Sequence, residues 1–275
     1  MIYTAPIHTV RSHFHEAVYS IPQHGTDFCV FSLKALAAPG VSEGAGGGAA
    51  EPYAAPMSDS SPGIVDLLGV LAYAELAAFL RLAEDAALLA PTLNDRAALG
   101  DVAATEYGHF RVLRDRLASL GVDPEEAMAP FVEAIDDWHA QTRPKDWHEA
   151  LIKAYVGVGI AGDFYREAAR HTTPSISALV DEVLTDESRG EFAVERVRAA
   201  LDADPRLCGR LALWARRMVG EALSQGQRLA AVRPRLAALL VGEEGENLAE
   251  IGRMFARLTE EHGKRMAALG LTPGP

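Results

Sequence analysis

Cysteine is almost missing from this chain. Cys29 and Cys208 are the only two among 275 residues, and they stand in unrelated surroundings. That excludes a disulfide framework and makes a reducing compartment the default. Positive charge is scarce too: 26 Lys and Arg stand against 38 Asp and Glu, a formal net charge of −12. A chain this acidic does not hold nucleic acid over its whole surface, so such a partner needs a local basic patch. No apolar run reads as long and clean enough to cross a bilayer. The opening MIYTAPIHTVRSHFHEAV lacks the basic end and apolar block of a secretory leader. Together these absences place the protein in the cytoplasm. Strand-type alternation is not visible anywhere, which leaves an all-α chain. With 49% hydrophobic residues, that chain can bury a sizeable core.

Residues 1–60 differ from everything after them. They show no sustained helical period and run into GVSEGAGGGAAEPYAAP, a Gly/Ala/Pro-rich stretch that cannot pack a core. They read as a disordered extension, or as a mis-assigned start with Met57 as the true first residue. Beyond them the chain punctuates itself. Ser61-Pro62 is a cap followed by proline at the first helical position, opening a helix that ends near Leu89, before Pro91. A second helix runs from about Asn94 to Gly121. A long connection follows, with a short helical piece over 129–139. Asp146, with Glu149 three residues on, forms a capping box for a third helix. Thr173-Pro174 opens a fourth and Asp204-Pro205 a fifth, and a sixth covers about 246–269. Two antiparallel pairs joined by one long crossover, over 61–203, make a four-helix bundle. Residues 204–275 add two C-terminal helices packed on it.

The apolar stripes of these helices are interrupted in a systematic way. In the first helix Leu68, Leu71, Glu75, Phe79 and Leu82 share a face. In the second, Leu99, Val102, Glu106, His109, Leu113, Leu117 and Leu120 form one seam, centred on Glu106-x-x-His109. The third is apolar nearly all round, with Asp163 in phase with Ile152, Val156 and Gly159. In the fourth, Glu187 falls within the line Ile176, Val180, Val183, Gly190, Val194. Asp186 is its rival, and Glu167 rivals Asp163. An unpaired buried carboxylate is expensive, and one on each of four helices calls for a shared partner. A hard cation is one such partner: glutamates from two helices and Glu-x-x-His from two more are the donor set of a di-iron bundle. The competing explanations are buried hydrogen-bond networks and a misplaced helix phase. His139, His148 and His262 have polar neighbours and are expected at the surface.

The segments LLGVLAYAELAAFLRLAEDA, AATEYGHFRVLRDRLASLG and WHEALIKAYVGVGIAGDFYREAA, with VERVRAALDADPRLCGRLALWARRMVGEALSQ, carry a resemblance. Over about 62–270 the chain resembles the ferritin-like proteins grouped with the tRNA 2-methylthio-N6-isopentenyladenosine hydroxylase. The resemblance implies a ferritin-like bundle and a non-haem di-iron monooxygenase that hydroxylates an aliphatic C–H, served by an electron donor. It implies Glu75, Glu106, His109, Asp163 and Glu187 as ligands of two irons, with Glu106 and Glu187 as bridges. The family pattern expects a histidine after the last acid, where this chain has Arg189 and Gly190, so the second iron should be weakly held. A tRNA substrate would need a basic surface. Between Arg206 and Arg235 seven arginines face one acid, Glu221, and Arg206, Arg210, Arg217 and Arg228 fall on one helix face. The rival readings are a non-catalytic or degenerate ferritin-like metal binder, and an oxygenase acting on a small apolar molecule.

Overall fold

A proline fixes the first helical turn: α1 spans Pro62–Leu89, with Ser61 at its N-cap. The structure is a computed structural model that describes residues 58–184, 188–241 and 248–271. The expected extension up to residue 57 lies outside the described residues. Helix α2 is Leu93–Ser119, capped by the Thr92 hydroxyl, which accepts from the Asp95 amide. Gly121, at φ 75°, ends it in the left-handed conformation that glycine adopts freely. The connection holds α3 (Pro124–Met128), a 3-10 turn (Ala129–Phe131) and α4 (Val132–Gln141). Next comes α5 (Trp147–Ile152), capped by Asp146, continuing through a π-helical turn (Lys153–Gly157) into α6 (Val158–Ala169). The chain ends with α7 (Pro174–Leu184), α8 (Ser188–Ala203), α9 (Leu207–Val232), α10 (Pro234–Val241) and α11 (Leu248–Ala268). No strand occurs among the described residues. Helix α10 had no counterpart in the sequence reading.

The all-α expectation holds, and α1 and α2 form the long antiparallel pair at its centre. One half of the core packs Ile64, Leu67, Leu68 and Leu71 of α1 against Leu113 and Leu117 of α2, with Phe131, Ile176 and Val180. The crossover lies against α1 at Gly69, where a Cβ would stand 2.2 Å from the Ala127 carbonyl oxygen. The other half joins Leu151, Ile152 and Val156 to Ala193 and Val197 of α8, and to Trp214 and Met218 of α9 with Met266 of α11 and Leu269 just beyond it. Helices α9 and α11 thus complete this half of the core.

One expectation about α1 needs correcting. By length and composition it is apolar enough to cross a bilayer, and half of its most apolar window is buried inside the protein. Its apolarity is used by α2, α3 and α10, which pack on it.

Candidate metal centre

The hairpin of α1 and α2 brings three donors together. Glu75 lies in line with Leu68, Leu71 and Leu82, all buried. On α2, three residues apart and so on one face, Glu106 and His109 point at it. His109 Nδ1 is 3.4 Å from Glu75 Oε2 and 3.6 Å from Glu106 Oε2. One donor atom from each side chain falls within 4.8 Å of the others. Glu75 is 5% exposed and Glu106 1%.

Two carboxylates this deep cannot both be charged without compensation. Burial pushes the Glu75 carboxyl well above its ordinary range, the hydrogen bond and charge of Glu106 push it further, and His109 offsets part of this. Glu75 Oε2 is sealed from solvent and accepts no hydrogen bond among the described residues. A cation would replace the proton that burial favours on Glu75 and serve that orphaned oxygen. Two carboxylates and an imidazole suit iron, manganese or zinc, so the residues present fit a metal.

The cluster borders a cavity of about 210 Å³ that runs along α1. Leu82, Ile160, Phe164 and Leu229 give it apolar walls, and Tyr165 lines it close enough to Glu75 to feel its charge. Burial, then the Glu75 charge, holds the Tyr165 phenol up in its neutral form.

The far end of the cavity is polar, and the sequence reading missed it. Asp85 of α1, His139 of α4 and Lys153 of the π-helical turn line it. His139, expected at the surface, is 8% exposed. Burial, then the charges of Lys153 and Arg81, pushes its imidazole down to about 3, so it is neutral. His262 also departs from the surface expectation: burial, then Arg265 and Arg216, lowers it to about 4. His148 is half-buried. The sequence signal available for His139 was the neighbouring Trp138, whose ring meets the imidazole edge-on at 4.8 Å.

Asp163 does not join the cluster. Arg265 of α11 binds its carboxylate directly, and Arg166 stands 3.7 Å away. The physical reason is the π-helical turn upstream, which inserts an extra residue and rotates α6 away from the phase of Ile152 and Val156. Gly162 and Tyr165 line the cavity instead. Its rival Glu167 takes a bidentate pair from Arg257 at 2.9 and 2.7 Å. Glu187 and its rival Asp186 lie outside the described residues. At Gly190 a Cβ would meet the Tyr155 ring at 3.0 Å, so that space is filled by a side chain.

The arginine stripe of α9 is largely engaged within the protein. Arg206 meets Asp204 at 2.8 Å, Arg210 meets Asp146 at 2.7 Å and Glu149 at 2.8 Å, and Arg228 stands 3.6 Å from Asp137. Arg217 is exposed. Glu149 accepts from the Lys145 amide at 2.9 Å, so the capping box closes one residue earlier than expected.

Compared with known families, residues 59–243 match the model described as "Ferritin-like domain, actinomycetes". None of the curated proteins matches the chain.

Proposed function

Because the chain belongs to the ferritin-like domain family of actinomycetes, we propose that Glu75, Glu106 and His109 hold iron and that the protein is an oxygenase for a small apolar molecule. The observation that carries this reading is that the buried donor cluster borders an apolar cavity instead of facing solvent. Bound iron would supply the reduction of O₂ that hydroxylates an aliphatic C–H, with two electrons from an external donor and two protons completing the balance to water. The protein's own groups do the rest. Glu75 gives up its proton on loading. His109 adds a neutral donor. Leu82, Ile160 and Phe164 give the cavity an apolar wall, and Tyr165 keeps its proton near Glu75. The described donors serve one iron. Hydroxylation of a tRNA side chain, the finer reading the resemblance offers, has less support, because Arg206, Arg210 and Arg228 already meet acids of the same chain.

The test is metal analysis after expression in iron-rich medium. Iron should co-purify with the wild type and be absent from Glu106→Ala. The affinity of wild type should rise with pH, because loading expels protons. Metal-free Glu106→Ala should melt above metal-free wild type, since it no longer buries two facing carboxyls. A wild type that takes up neither iron, manganese nor zinc would refute the reading. Iron bound with no oxygen consumption under any reductant would leave a non-catalytic metal binder.

A further inference from the structure

The polar end of the cavity lies well apart from the donor cluster. Glu75, Ala78, Leu82 and Asp85 follow one another at steps of three, four and three along α1, and all line the same cavity. Glu75 and Asp85 are ten residues apart, about 15 Å along the helix axis. Apolar side chains separate these two ends.

Lys153, 6% exposed, donates to the His139 carbonyl at 3.3 Å and lies 5.1 Å from the centre of the Trp138 ring. An ammonium has three donors, so two remain unused among the described residues. The Nδ1 of His139 has no hydrogen-bond partner there. Asp85 is 8% exposed and makes no hydrogen bond or close ion pair among the described residues, with Lys153 or any other group. A structural salt bridge would join Asp85 to Lys153, and none is made. Asp85 and Lys153 line one space without meeting each other, and a polar ligand between them would serve both.

The charges around this end choose its sign. Arg81, Arg143 and Lys153 act on it against Glu84 and Asp85, which leaves one excess positive charge. An amine would be repelled and an anion neutralised.

We propose that Asp85, His139 and Lys153 form the head-group site for the carboxylate of a short aliphatic acid, whose tail lies along the apolar wall toward Glu75. Only the meaning of the tail's direction rests on the oxygenase reading, since the head-group site stands without iron. The depressed Lys153 and the raised Asp85 support it, because a bound anion would restore the ammonium and hydrogen-bond a protonated Asp85. The cavity of about 210 Å³ has room for a short aliphatic chain, for which octanoate is the probe.

Calorimetric titration of the full chain with octanoate, octan-1-ol and octylamine tests this. Octanoate should bind roughly tenfold or more tighter than octan-1-ol, and octylamine weakest. Lys153→Met should weaken octanoate by a similar factor, and Asp85→Asn should tighten it by removing the like charge. Octan-1-ol binding as tightly as octanoate would overturn the proposal, as would unchanged octanoate affinity in Lys153→Met. Should Lys153→Met fail to fold, Asp85→Asn and the wild-type ligand series decide alone. Chelator-treated wild type separates the two readings. A preference for octanoate without metal upholds the head-group site even if iron never binds. Iron binding with no such preference overturns this inference and spares the oxygenase.

Discussion

Lys153→Met should make the metal-free, ligand-free protein more stable at neutral pH. Methionine matches the lysine stem in volume and needs no solvation. In the wild type, burial pushes the Lys153 ammonium down from 10.5 to about 8. That shift corresponds to a penalty of about 3 kcal/mol on the charged form. Two losses offset its removal: the bond to the His139 carbonyl, worth about 1 kcal/mol, and the cation that partly compensates Asp85, worth about as much again. The net gain is about 1 kcal/mol, or roughly 2–4 °C in Tm for a chain of this size. The pH dependence discriminates more sharply. Below pH 8 the native and unfolded chains both hold the proton, and the penalty is complete. Between pH 8 and 10.5 the unfolded chain binds more protons than the native one, so wild-type stability rises with pH across that window. Lys153→Met should lack this rise. Denaturant unfolding at pH 7, 8, 9 and 10 measures both effects. Matching slopes in the two proteins, or a variant less stable by more than about 2 kcal/mol, would show that the ammonium is well solvated or well paired.

Two other outcomes follow from the placement of charged groups. Asp163→Ala should leave the metal content unchanged, yet lower Tm by roughly 6–20 °C, because it strands the half-buried Arg265 guanidinium; breaking such a pair costs about 3–5 kcal/mol. Loss of metal with Asp163→Ala at retained stability would return Asp163 to the ligand set. Wild-type protein should show no salt-dependent affinity for tRNA, because Arg206, Arg210 and Arg228 already face acids of the same chain. Binding that falls steeply with salt and is lost on charge reversal at Arg217 would reverse that conclusion.

Where helices run uninterrupted between clear punctuation, the sequence by itself determined the result. Ser61-Pro62 and Pro91 bound α1, Thr92 and Gly121 bound α2, and in both the 3.6-residue period runs unbroken. Glu75, Glu106 and His109 could therefore be assigned to one buried seam, because regular helices convert spacing into direction. Only the tertiary structure decided the remainder. The π-helical turn at Lys153–Gly157 adds a residue without a visible signature, so Asp163 rotates out to Arg265 while Gly162 and Tyr165 turn in. His139 sits in a connecting helix among polar neighbours. Its burial depends on α9 closing over α4, where the Trp138 indole reaches the Met218 carbonyl at 3.5 Å. Local spacing fixes which residues share a face. Which faces are then covered, and so which of Asp85, His139 and Lys153 lose their water, is set by contacts between segments far apart in the chain.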